Sequence, residues 1–214
     1  MRILLLALMA LLAFPNIASA QDEGLYDPVA PEGSAFFRFI HADNNVDSND
    51  TEIKLGSKSY GTQNYKNVSD YFVRKFGDAE FSAGDKSTST SLEADKYYSI
   101  IKTSNDLIIV EDSALENSTK ALLTLYNLTD EANISLKTSE KEIDIIKDVT
   151  PKHNGSREIN AVELTMTISS DTGKSYDLDP IVLERQNAYS IIVLSNDEND
   201  FFGVVRTAKT DTTK

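Results

Sequence analysis

A segment of eleven residues occurs twice in this chain, and that recurrence limits the fold more than any other feature. Lys96-Tyr97-Tyr98-Ser99-Ile100-Ile101-Lys102-Thr103-Ser104-Asn105-Asp106 returns as Asn187-Ala188-Tyr189-Ser190-Ile191-Ile192-Val193-Leu194-Ser195-Asn196-Asp197, with seven identities at a constant offset of 91. Each copy is followed by another apolar run, Leu107 to Val110 and Phe201 to Val205. A second correspondence, Ala35-Phe36-Phe37-Arg38-Phe39-Ile40 against Ala121-Leu122-Leu123-Thr124-Leu125-Tyr126, falls in the same order. Self-similarity at a long, near-constant period marks repeated structural units. The chain therefore reads as an internal duplication.

Within each half the pattern is β. Short runs rich in Ile, Val, Phe, Tyr and Leu alternate with clusters of Ser, Asn, Asp, Thr, Lys and Gly, the signature of strands bounded by turns. Glu163 to Ser169 alternates cleanly, with Leu164, Met166 and Ile168 on the face expected to be buried. Further strands are expected over Ser34 to Ile40, Tyr71 to Phe76, Ala121 to Leu128, Ile143 to Val149, at Val182, and over Tyr189 to Leu194. Many short strands without a helical period predict an all-β chain, two tandem antiparallel β-sandwich domains related by duplication. The expected boundaries are residues 34–112 for the first domain and 120–208 for the second. A polar linker, 113–119, joins them. Residues 209–214 carry no apolar anchor and are expected to fray as a disordered tail.

Ahead of the first domain lies an address. Arg2, the apolar run Ile3 to Phe14 and the small-residue site Ala18-Ser19-Ala20 read as a cleaved signal peptide over 1–20,. The run is shorter than the ~20 residues that span a bilayer. Export is expected, with the mature chain starting at Gln21. Losing Arg2 takes the formal charge from −13 to −14, which argues against nucleic acid or anionic membrane as a partner. Cysteine is absent, so stability has to come from apolar burial rather than disulfides.

Catalytic chemistry is sparse. The chain has two histidines, His41 and His153. Neither has an aspartate three residues upstream, where Arg38 and Thr150 stand, and no G-x-S-x-G or G-D-S block occurs,. No catalytic residue and no cofactor site is expected. His41, ending a strand, is expected to cap it or face the surface, and His153 to sit in an exposed turn. Asp43, Asn45 and Asp47 show the 1-3-5 spacing of a calcium loop. Ser48 and Lys54, however, replace the glycine at six and the glutamate at twelve,. A solvated acidic loop, without metal, is the expectation.

One stretch runs against the overall charge. Lys54, Lys58, Lys66, Arg74 and Lys75 accompany a single acid, Asp70, and are interleaved with Tyr60, Tyr65 and Tyr71. Scattered surface lysines are the plain reading. A contact patch for a partner or an anionic glycan is the sharper one, because tyrosine is enriched at interfaces. The candidate partner-binding residues are Lys54, Lys58, Tyr60, Tyr65, Lys66, Arg74 and Lys75. Tyr26, Pro28 and Pro31 join them from the stiff, extended lead-in over 21–33, which has no counterpart in the second half.

That lead-in, Leu25-Tyr26-Asp27-Pro28-Val29-Ala30-Pro31-Glu32-Gly33-Ser34-Ala35-Phe36-Phe37-Arg38, resembles the start of the mature alginate O-acetylation protein family AlgF. Ala121 to Thr129 and Ser156 to Val162 are similar to further AlgF stretches in the same order. Phe37 stands where the family has an aliphatic residue and His41 where it has asparagine, departures that mark a divergent member. The resemblance implies a non-enzymatic periplasmic adaptor for O-acetylation of an exopolysaccharide such as alginate. Its implied partners are periplasmic SGNH-like O-acetyltransferases and the membrane-bound O-acyltransferase machinery. Two other readings remain, a carbohydrate-binding module presenting the polymer and, less favoured, an acetyltransferase or esterase.

Overall fold

Phe37, Arg38, Phe39 and Ile40 are all buried in one strand. A strand points successive side chains to opposite faces, so both faces of this one must be covered. The computed structural model describes residues 30–45, 50–129, 133–196 and 200–211, and four of its strands share this property. The expected signal peptide over 1–20 and residues 21–29 of the expected lead-in lie outside the described residues.

The first half forms β1 (Ser34–His41), β2 (Thr51–Leu55), β3 (Lys58–Gln63), β4 (Tyr71–Lys75), β5 (Gly77–Ala83), β6 (Lys86–Leu92), β7 (Tyr97–Lys102) and β8 (Leu107–Asp112). The second begins with β9 (Lys120–Leu128), β10 (Ile134–Thr138), β11 (Asp144–Val149), β12 (His153–Asn160), β13 (Glu163–Leu164) and β14 (Met166–Ser170). It continues with β15 (Ser175–Asp177), β16 (Ile181–Val182), β17 (Ala188–Ser195), β18 (Phe201–Thr207) and β19 (Thr210–Asp211). In the first half one sheet has the order β4-β1-β7-β8 and the other β3-β2-β5-β6; in the second the orders are β12-β9-β17-β18 and β11-β10-β14-β15. Strand directions agree throughout. Register agrees too: Phe37 lies opposite Tyr98, and Leu123 opposite Tyr189. The two halves are wired alike.

Alternation then sorts the side chains into three apolar layers. Phe37, Phe39, Tyr98 and Ile100 join Ile53, Phe72 and Phe81 between the two sheets of the first half. Leu123, Leu125, Tyr189 and Ile191 do the same with Leu136, Met166 and Ile168 in the second. The opposite faces of the same strands supply Ile40, Ile101, Tyr126, Ile192 and Leu194 to a third cluster. This third layer packs the sheet of β1 and β7 against that of β9 and β17. The result is four sheets in a stack, with apolar burial worth about 1.5–3 kcal/mol for each large side chain.

The repeated Tyr-Ser-Ile-Ile now has a local meaning. Tyr98 and Tyr189 enter their own cores, and each hydroxyl accepts a backbone N–H five residues upstream, from Glu93 at 3.1 Å and Glu184 at 2.9 Å. Ser99 and Ser190 face the seam between the halves, where both are buried.

Three expectations change. The sandwiches are not wholly antiparallel: β1 pairs in parallel with β7, and β9 with β17. Glu163 to Ser169 is two strands, because the chain leaves β16 and joins β10 at Thr165. The C-terminal segment is anchored as far as Asp211. Thr210–Asp211 pair in parallel with Tyr71 and Phe72, and the Tyr71 N–H donates to the Lys209 carbonyl at 2.8 Å. Backbone pairing needs no apolar side chain, which is why composition did not reveal it. Residues 212–214 lie outside the described residues.

Candidate functional site

A charged residue in the centre of an aromatic strand has to find polar partners on whichever layer it enters. Arg38 points from β1 into the seam between the halves and is 1% exposed. Its Nε donates to Ser99 Oγ at 2.9 Å. Its Nη2 donates to Tyr126 Oη at 2.6 Å and Ser190 Oγ at 2.8 Å, both from the second half. The guanidinium carbon lies 4.5 Å from the centre of the Tyr71 ring. Burial pulls the Arg38 pKa down, but Tyr126, Tyr71 and Asp112 push it up, and the balance is upward. The group stays charged.

Asp112, at the end of β8, is the counter-ion, 3.8 Å from Nη2. Its Oδ2 accepts from the Tyr71 and Ser99 hydroxyls, both at 2.6 Å. Its Oδ1 accepts from the Tyr126 hydroxyl at 2.5 Å and from Asn154 Nδ2 at 2.9 Å. Four donors thus satisfy a carboxylate that burial alone would make costly. Burial, with Asp112 alongside, raises the pKa of both tyrosines, so their hydroxyls remain donors at neutral pH. A cavity of about 290 Å³ opens beside this cluster, bordered by Arg38, Tyr71, Asp112, Thr124, Gln186 and Ser190 among others.

A second buried ion pair closes the nearby end of β1. Lys102 Nζ reaches Asp43 Oδ2 at 2.5 Å, both side chains being buried. Burial raises the Asp43 pKa, but hydrogen bonds from Lys102, the Asn45 backbone and Ser104 outweigh it and hold the carboxyl at about 2. The expected solvated acidic loop is therefore, at Asp43, an internal ion pair. Asp47 lies outside the described residues. Among the described residues no group of three or more His, Asp or Glu side chains gathers as metal ligands.

The family model described as "Alginate O-acetyl transferase AlgF" matches residues 5–190. The chain belongs to the AlgF family. The Alginate biosynthesis protein AlgF of Pseudomonas fluorescens is 32% identical over 177 residues, covering 82% of this chain and 79% of the relative. That of Azotobacter vinelandii is 31% identical over 181 residues, covering 83% and 80%. Structures of the C-terminal domain of AlgF from P. aeruginosa match 42% of this chain and 98% of theirs at 30% identity, with a TM-score of 0.38.

The candidate contact residues of this AlgF-family chain do not converge. Lys54 pairs with Glu52 at 2.6 Å on β2. On β3, Lys58 lies 4.9 Å from the centre of the Tyr60 ring, which packs 4.7 Å from Phe72 and 5.2 Å from Phe37 in the first core. Tyr65 instead reaches across the seam and donates to the Ser195 carbonyl at 2.7 Å. Beside it, Lys66 lies 4.5 Å from the centre of the Phe202 ring. Arg74 donates to the Lys75 and Asp78 carbonyls, while Lys75 lies 5.9 Å from the exposed Phe76 ring. Tyr71 belongs to the Asp112 cluster. Pro31 is exposed and its carbonyl closes a turn on Ser34; Tyr26 and Pro28 lie outside the described residues.

His41, expected to cap its strand or face the surface, does not face the surface. It is 2% exposed, with Nε2 3.2 Å from Thr51 Oγ1, because β1 is covered on both faces to its end. His153 is exposed as expected, its Nδ1 2.8 Å from the Pro151 carbonyl oxygen. Sequence reasoning missed Arg38, Ser99, Asp112, Tyr126 and Ser190. An arginine inside Ala35-Phe36-Phe37-Arg38-Phe39-Ile40 was the available signal, and Asp112 was hidden at the edge of a polar run.

Proposed function

We propose that this chain is a non-catalytic accessory protein for O-acetylation of alginate or a similar exopolysaccharide. It is exported to the periplasm and holds acetylation proteins together. Family membership supports the pathway. The observation that supports a scaffold over a transferase is the use made of the polar interior. Arg38, Asp112, Tyr71, Tyr126, Ser99 and Ser190 bond to one another across the seam. The two histidines, the residues most suited to general-base work, are engaged elsewhere, with Thr51 and with Pro151.

Among the described residues no helix is long and apolar enough to cross a membrane, in keeping with a mature chain that meets its membrane-bound partner from outside the bilayer. The expected partners are SGNH-like O-acetyltransferases and the membrane-bound O-acyltransferase machinery. Surfaces open to them include the β2–β3 hairpin with Lys54 and Lys58, the end of β4 with Lys75 and, separately, the lead-in around Pro31. Co-purification of the tagged full chain with these proteins from periplasmic and membrane extracts is the test. Capture of the acetylation proteins supports the scaffold. Acetyl transfer to oligouronates by the purified chain alone overturns it.

A carbohydrate-binding reading keeps one specific support, the Lys58–Tyr60 pair on edge strand β3. Saturable binding of oligouronates that Tyr60→Ala or Tyr65→Ala weakens favours that reading. Tyr60 and Tyr65 both pack against neighbouring apolar side chains, which favours the scaffold.

A further inference from the structure

The hydrogen-bond inventory of the seam leaves one strong donor group over. Arg38 uses Nε once and both N–H groups of Nη2; among the described residues its Nη1 donates to no acceptor. Nη1 is nevertheless absent from the fully enclosed, partnerless polar atoms, so it reaches open space. The open space that Arg38 borders is the cavity of about 290 Å³ between the two halves. Asp112, the nearest anion, already accepts four hydrogen bonds and lies on the Nη2 side.

Two further donors border the same cavity. Ser190 Oγ accepts from Arg38, and its own proton has no acceptor among the described residues. Gln186 lies exposed at the rim, and its carboxamide likewise makes no hydrogen bond among the described residues. Nη1 keeps both of its N–H groups, each able to donate to a carboxylate oxygen, and such charge-assisted hydrogen bonds are the strong ones. The local charge also allows it. Arg38 and Asp112 cancel, so an incoming monoanion meets a neutral cluster rather than the acidic surface of the chain.

We propose that the seam cavity is a binding site for a small monocarboxylate, between acetate and a single uronic acid in size. The carboxylate is held by Arg38 Nη1 at the floor, with Ser190 Oγ–H and the Gln186 amide closing on it. Because Arg38 comes from β1 and Ser190 and Gln186 from the second half, occupancy requires both halves docked. The ligand therefore reports on, and tightens, that docking. The site needs no catalytic step and stands whether or not the accessory role is correct. The choice of a uronic acid as probe rests on that role.

The test uses the full mature chain, labelled with ¹⁵N, titrated at neutral pH with sodium acetate, with sodium glucuronate and with sodium chloride at matched ionic strength. The expected result is a saturable shift of the Arg38 Nε–H resonance and of the Ser190 and Gln186 amides with a carboxylate, and none with chloride. Saturation by acetate alone identifies a free acyl-sized ligand; saturation by glucuronate identifies a sugar acid. Ala114→Leu, an exposed position bordering the cavity, should weaken binding at least tenfold while leaving the thermal midpoint in place. Arg38→Met is the poorer variant, since it strands Asp112. Shifts that follow ionic strength equally for all three salts, or saturable binding unchanged in Ala114→Leu, overturn the proposal. Loss of co-purifying partners with saturable carboxylate binding intact refutes the accessory role and leaves this site standing.

Discussion

Asp112 and Asp43 are both buried carboxylates with one basic partner, yet they should respond differently to change. Removing Asp112 as Asp112→Ala leaves the Arg38 guanidinium buried without a counter-ion, and we predict a loss of about 3–5 kcal/mol in urea unfolding. Tyr71→Phe removes one of four hydrogen bonds to the same carboxylate, and should cost about 1.5–3 kcal/mol. Asp43 governs acid stability. Its folded pKa, about 2, lies below the unfolded value. Its stabilisation is therefore complete above about pH 4 and is lost as pH falls towards 2. Asp43→Asn should flatten that part of the stability–pH profile, measured by thermal melts between pH 2 and 5. At this scale the sequence was partly legible. The repeat placed Ser99 and Ser190 at equivalent positions. It did not tell that Ser99 and Ser190 would meet the same arginine.

Strands were legible because apolar runs and turn clusters are local signals, and the edges of β1, β7, β9 and β17 fell close to the apolar runs. Pairing was less so. A parallel neighbour such as β7 beside β1 lies some sixty residues away, and no turn chemistry announces it. The same holds for β19, whose two residues pair through backbone alone. Truncation after Ala208 removes the Lys209 carbonyl and should expose the Tyr71 amide to rapid hydrogen exchange while β1 and β7 amides stay protected. Close approach between sheets gives a second prediction. A Cβ on Gly203 in β18 would lie 2.6 Å from Ile168 Cδ1 and Leu178 Cδ2. Gly203→Ala should cost about 1–3 kcal/mol through overpacking, measured by denaturant midpoint. The second half holds this constraint also at Gly155, against Ile146 and Val149.

Across the whole molecule the seam makes two similar halves into one body. Its apolar layer, the Arg38 cluster, the Tyr65–Ser195 bond and the strap of β19 all cross it. A single cooperative thermal transition is expected for the intact chain. Ile192→Asp places a charge in the middle of the seam and should split calorimetric unfolding into two transitions. A single transition at lower temperature would instead mean that the halves have no independent stability. The seam also explains where the candidate contact residues went. Tyr65 was a candidate contact residue and Tyr71 stood interleaved with the basic stretch, but one is bonded across the junction and the other lies inside it.

What the sequence by itself determined is the currency of the fold: β-strands of stated length, an alternating core face, and two halves with a shared pattern. What tertiary structure alone decided is which surface covers the second face of β1, β7, β9 and β17. With it came the set of groups gathered round Arg38. Its partners Ser99, Tyr126 and Ser190 lie 61, 88 and 152 residues along the chain. The physical reason is range. Alternation and turn propensity act over a few residues and record only that a face is buried. A buried charge is satisfied by whatever polar atoms the packed sheets bring within about 3 Å, and no local pattern encodes that meeting.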